Sequence, residues 1–124
     1  MSARPRIEGV APVLQVADVP ASLAYYRDAL GFQVEFTWHD PPIYAGLELG
    51  QAELHLAKGE ARSPSVVAFF CTGLDSLLQQ FKTNGARIER PISVEPYGMR
   101  EFAVTDLDGH RLVFGELTHR QEKD

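Results

Sequence analysis

The chain has 124 residues, 44% of them hydrophobic, and a formal charge of −5. That length fits a single domain, 1–124, burying roughly two thirds of its unfolded surface, and the acidic balance without any Lys/Arg cluster argues against a nucleic-acid partner. No apolar run approaches the ~20 residues of a membrane span and the opening stretch MSARPRIEGV lacks a signal-peptide core, so the expectation is a soluble, cytoplasmic protein with no membrane partner.

In chain order, residues 10–16 are the first expected strand. Asp18 is placed to cap a helix, since its carboxylate can accept from the free N–H groups of the first turn, and Pro20 is tolerated there because it needs no donor. Val19, Leu23, Tyr26 and Leu30 recur at helical spacing and give one apolar face, and Gly31 ends the helix. Residues 32–38 alternate as a strand with Phe32, Val34 and Phe36 on one side. Asp40-Pro41-Pro42 makes a loop, and residues 43–49 and 52–57 form a hairpin about Gly50-Gln51. The order is βαβββ.

Residues 58–65, polar with Gly59 and Pro64, read as a linker, after which the order recurs. Residues 66–71 are a strand, and Thr72-Gly73-Leu74-Asp75 has the spacing of a capping box. Leu74, Leu77, Leu78 and Phe81 make the second helix face, and Gly85 stops it. A strand over 87–92 precedes a last hairpin in YGMREFAVTDLDGHRLVFGE, residues 97–116, turning at Asp108-Gly109. The runs VLQVADVPASLAYYRDALGF and AFFCTGLDSLLQQFKTNGAR share a strand-helix-glycine pattern, so a supersecondary unit is repeated. The lone Cys71, beside Ala68, Phe69 and Phe70, reads as a buried, inert thiol, with no disulfide and no thiolate zinc site. His39, His110 and His119 read as loop or tail residues, and the tail HRQEKD as frayed. Arg100 and Glu101 are neighbours in one strand, so one of the two charges must point to whatever the sheet encloses.

The runs APVLQVADVPASLAYYRDALGF, AELHL and YGMREFAVTDLDGHRLVFGE resemble the vicinal oxygen chelate superfamily, and within it the bleomycin-resistance and glyoxalase-like branch. The resemblance spans residues 12–116. It implies an α+β fold of two βαβββ modules, 8–57 and 65–116, with curled mixed sheets, helices outside, a concave cleft, and pairing as a homodimer. It also implies four metal-ligand positions, which fall at Ala11, Glu53, Val66 and Val113. Three of the four cannot coordinate, and a lone carboxylate does not make a metal site, so no metal and no cofactor are expected. A surrogate trio of Glu53, His55 and Glu101 is the alternative.

Strand alternation then assigns the concave side. Leu14 and Val16 pack on the helices, turning Val13 and Gln15 inward. By the same rule Tyr44, Gly46 and Glu48, then Glu53 and His55, then Met99, Glu101 and Ala103, then Arg111 and Val113, face inward. With Trp38 and Tyr97, the expected ligand-binding set is Trp38, Tyr44, Glu48, Glu53, His55, Tyr97, Met99, Glu101 and Arg111, with no catalytic residue. Aromatic faces and carboxylates suit a flat or cationic small molecule. The expected function is therefore metal-free sequestration of a small molecule, with a bleomycin-like antibiotic as the candidate. The alternative is an enzyme of the same fold, using a noncanonical metal site or Glu101 or His55 as general base. Structural roles compete at each position: Trp38 capping the core, Met99 as filler, Glu101 paired with Arg111 across the hairpin.

Overall fold

Both halves of the chain obey the same local rules, and the computed structural model, which describes residues 4–118, shows what they build. The first half runs β1 (Val13–Val16), α1 (Val19–Asp28), β2 (Gln33–Trp38), β3 (Tyr44–Leu49) and β4 (Ala52–Lys58). The second runs β5 (Val66–Phe70), α2 (Leu74–Thr83), β6 (Arg87–Glu95), β7 (Met99–Thr105) and β8 (Arg111–Leu117). Each half folds one four-stranded mixed sheet, in the orders β1-β4-β3-β2 and β5-β8-β7-β6. The helix carries the chain across to the far edge, and a three-stranded antiparallel meander returns it to lie parallel beside the first strand. The His119 reading and the frayed-tail reading fall outside the described residues.

The helices start and stop for identifiable reasons. Asp18 Oδ1 accepts from the Ala21 N–H at 3.0 Å, capping α1. Gly31 takes a φ of 77°, a left-handed turn that a side chain resists, and the chain leaves the helix there. The start of α2 differs from expectation. Gly73, itself left-handed, is the N-cap and offers no side chain, so no capping box forms. Asp75 is instead drawn 3.0 Å from the Arg100 guanidinium, and the free Gly73 N–H donates to Glu116 Oε2 of β8 at 2.9 Å. That ion pair also settles Arg100: it lies on the helix side of its sheet, between Asp75 and Glu116.

One contiguous apolar cluster joins the two modules. Leu14, Val16, Leu23, Tyr26, Leu47, Leu54 and Leu56 fill the first half; Leu78, Phe81, Phe102, Leu112 and Phe114 fill the second. Phe32 and Phe69 meet edge to face across the junction at 6.1 Å. Around this contact lies a polar clasp centred on the turn between β7 and β8. Asp106, buried, accepts from the Tyr26 hydroxyl at 2.8 Å and from the turn amides of Asp108 and His110 at 2.9 and 2.8 Å. Burial and the neighbouring carboxylate push the Tyr26 phenol far above its ordinary value, so it stays a donor.

His110 lies in the loop between β7 and β8, as expected, but is only 1% exposed there. Its Nδ1 accepts the Ser65 N–H at 2.9 Å, and its Nε2 lies 2.7 Å from the Gln15 carbonyl oxygen. A carbonyl can only accept, so the ring is the neutral Nε2–H tautomer, tying the linker exit to β1. The turn sequence signals a hairpin; it carries no sign that the histidine is the clasp.

Candidate functional site

The first candidate surface is the face of β2, β3 and β4 turned away from α1. Cross-strand partners share a face, and the register pairs Trp38 with Tyr44, Gly46 with His55, and Glu48 with Glu53. Phe36 joins them, against expectation. Simple alternation puts it with Phe32 and Val34, and Val34 does pair with the buried Leu47. A β-bulge between Val34 and Phe36 inserts one residue, and Phe36 then pairs with Gly46 on the opposite face. Its ring lies over the glycine, where a Cβ would collide with it.

Three rings thus meet around Gly46. Phe36 and Tyr44 are stacked, with centroids 6.2 Å apart and planes 17° apart. His55 stands edge-on to both at 5.4 Å, and its Nδ1 shares a 2.8 Å hydrogen bond with the Tyr44 hydroxyl. Trp38, 61% exposed, extends the aromatic surface toward His39. Glu35, the bulged residue, adjoins Glu48 and Glu53. Lost solvation, followed by those two carboxylates, holds its carboxyl above the usual carboxylate range. This face is acidic and no basic side chain ion-pairs with it among the described residues.

The second surface is the matching face of β6, β7 and β8. Glu101 pairs with Gly115 and Ala103 with Val113, so the sheet turns Glu101 inward and Arg100 outward. Glu101 does not pair with Arg111. It accepts from the Tyr97 hydroxyl at 2.9 Å and lies 3.5 Å from Arg90, which also reaches Glu95 at 3.3 Å. The hydrogen bond to Glu101 raises the Tyr97 phenol. Arg111 is taken by Glu89 at 2.6 Å. Bulges in β6, around Arg90, aim Arg90 into this group. The Met99 thioether lies over Gly115, its Cε 2.8 Å from where a Cβ would sit. A cavity of about 580 Å³ opens here between Phe70, Cys71, Met99, Gly115 and Leu117. Cys71 is half-buried at its rim, and burial raises its thiol pKa, which keeps it a poor nucleophile.

The nine sequence-assigned residues therefore form two groups. Trp38, Tyr44, Glu48, Glu53 and His55 share the first sheet; Met99, Glu101 and Arg111 share the second, with Tyr97 in the turn between β6 and β7. No hydrogen bond or ion pair among the described residues joins the groups. A second cavity, about 810 Å³, runs between the modules past Pro12, Leu49, Glu53, Phe69 and Phe70. The metal-ligand positions implied by the resemblance do not fit a metal: Ala11, Val66 and Val113 offer no donor beside Glu53. Nor, among the described residues, are any three His, Cys, Asp or Glu side chains grouped to hold an ion. No helix among them is long and apolar enough to cross a membrane.

The family model described as "Glyoxalase/Bleomycin resistance protein/Dioxygenase superfamily" matches residues 7–114. No curated protein matches the sequence. Among solved structures, TioX from Micromonospora sp. ML1 is similar at 20% identity and a TM-score of 0.77, over 88% of this chain and 99% of that one. A glyoxalase-related enzyme from Clostridium phytofermentans matches at 26% identity and a TM-score of 0.76, over 91% of this chain and 97% of that one. The bleomycin-binding protein of bleomycin-producing Streptomyces verticillus, complexed with copper(II)-bleomycin, matches at 27% identity and a TM-score of 0.75, over 90% of this chain and 97% of that one.

Proposed function

The chain belongs to the glyoxalase/bleomycin resistance protein/dioxygenase superfamily, and we propose that within it this protein is a metal-free binder of a flat, cationic small molecule, a bleomycin-like antibiotic being the first candidate. The observation that carries the reading is the first sheet's open face, where stacked, half-exposed rings lie beside carboxylates with no cation of their own. A ring floor stacks a planar group, and the carboxylates attract its charge. The cavity against Met99 and Gly115 has a size typical of small-molecule sites. The similarity to a bleomycin-binding protein supports the antibiotic as the first ligand to try. Sequestration needs affinity alone, which agrees with a donor set that does not suit a metal.

The two faces work together when chains pair. Val13, Val66, Phe70 and Leu117 are exposed on the same sides as the candidate residues. A twofold homodimer in the cytoplasm covers these side chains and lets the faces of two copies bound each cleft. Sedimentation at micromolar concentration is expected to give a dimer; a monomer there overturns this part of the reading.

The test of the ligand is calorimetric titration of metal-analysed protein with bleomycin. The expected result is micromolar or tighter binding, ~8 kcal/mol or more. A cation arriving beside Glu35 favours its ionised form and so opposes the upward shift of its carboxyl. A ligand at about 100 times its dissociation constant adds roughly 2.7 kcal/mol of stability. No heat and no rise in melting temperature at such a ratio removes bleomycin.

A second reading rests on the Tyr44–His55 pair. With Nδ1–H donating to the Tyr44 hydroxyl, the bond orients the imidazole and leaves Nε2 an unprotonated acceptor without a protein partner among the described residues, as a general base requires. Turnover of a substrate, abolished by His55→Gln while binding persists, would place the protein among the superfamily's enzymes.

A further inference from the structure

We infer that Gly46 is a specificity-determining residue of the first face: by carrying no side chain it lets the Phe36 ring lie over it, nearly parallel to the Tyr44 ring, and so makes the site select planar ligands. The inference rests on the small-molecule-binding reading given above and deepens it.

Two local features act together. The bulge between Val34 and Phe36 turns the Phe36 ring off the core side. The ring must then rest on its cross-strand partner, which is Gly46. The space a Cβ would fill is occupied by the Cε2, Cδ2 and Cζ atoms of that ring. With the seat empty, the Phe36 plane comes within 17° of the Tyr44 plane, and His55 closes the side of the step. Gly46 does not have a positive φ, so backbone conformation does not demand glycine there. The requirement comes from the ring above it.

An aromatic ring laid over a strand glycine also shields the backbone, and that role alone would make Gly46 a matter of stability. The two roles separate by ligand shape. Any side chain at 46 lifts and tilts Phe36, which spoils a flat floor for stacking but leaves Glu35, Glu48 and Glu53 in place. A planar cation should lose affinity while a flexible cation should not.

The experiment compares wild-type, Gly46→Ala and Phe36→Leu proteins by fluorescence and calorimetric titration. The probes are bleomycin, acridine orange as a planar cation, and spermidine as a flexible one. Gly46→Ala is expected to weaken acridine orange and bleomycin tenfold or more and to change spermidine binding by less than twofold. Phe36→Leu, which leaves the glycine seat unchanged, is expected to give the same split, and it carries the test if Gly46→Ala does not fold. Unchanged planar affinity in a folded Gly46→Ala protein, or equal losses for planar and flexible probes, overturns the inference while leaving the binding function intact. If Gly46→Ala does not fold, unchanged planar affinity in Phe36→Leu overturns it in the same way. Wild-type protein that binds neither bleomycin nor acridine orange overturns the binding reading itself, and the inference with it.

Discussion

Asp106→Ala should destabilise the folded chain by about 3–5 kcal/mol, a drop in melting temperature of roughly 15 °C for a domain of this size. The carboxylate is 1% exposed and serves three donors: the Tyr26 hydroxyl of α1 and the amides of Asp108 and His110. Removing the acceptor strands all three. A buried donor left without a partner costs about 1–3 kcal/mol, whereas the net gain from making such a bond is smaller. The loss also spreads across the junction. The turn positions His110 against Gln15 and Ser65, and Asp108 against the Ala17 N–H at 2.9 Å. Asp106→Asn separates the contributions. Its amide oxygen can still accept from the turn, while the Tyr26 hydroxyl loses a charged acceptor, so about 1–2 kcal/mol should be lost. Urea unfolding followed by circular dichroism measures both. Equal stability of the alanine variant and wild type would mean that the modules dock through the apolar cluster alone.

That clasp marks where reading the sequence stops short. The repeated βαβββ order was legible because each boundary has a local cause: Asp18 caps, Gly31 and Gly85 end helices in left-handed turns, and Gly109 turns the last hairpin. The inward faces of β3, β4, β7 and β8 were legible for a similar reason. Those strands keep an unbroken period of two, so knowing that Leu47 or Phe102 is in the core fixes the rest. In β2 and β6 the bulges break the count. An extra residue shifts every later side chain to the other face, and alternation alone does not say where it sits. Phe36, Glu35 and Arg90 were missed as residues of the two candidate faces for that reason. A signal for the first existed: Phe36 is a large apolar residue whose partner strand offers a glycine at the matching height. Long-range partners left no trace of their own. Nothing local marks Arg90, rather than Arg111, as the cation beside Glu101, or Glu116 as the acceptor for the start of α2.

The register of β8 sets which side chains of the second sheet face the cavity, and one pair of substitutions tests it. Phe114→Ala should cost about 3–5 kcal/mol, the loss expected for emptying a large aromatic site in a packed core. The ring is 1% exposed, stacks on Phe69 at 4.7 Å and on Phe102 at 5.5 Å, and meets Phe81 edge-on at 5.1 Å. Val113→Thr, one residue away, should cost about 0.5–1 kcal/mol, because its half-buried side chain shares the face of Ala103, outside the apolar core cluster. Denaturant unfolding of the two variants reads the difference directly. The contrast reaches beyond stability. Val113 and Gly115 share a face, and Gly115 is the partner of Glu101. Phe114 in the core therefore places Glu101, Met99 and the cavity beside them on the open face, with Val113 where a metal ligand would have to be. If Val113→Thr were the costly change and Phe114→Ala the mild one, the strand would be slipped by one residue. Glu101 would then turn to the core, Arg100 would face the cleft, and the second surface would have to be rebuilt around a cation.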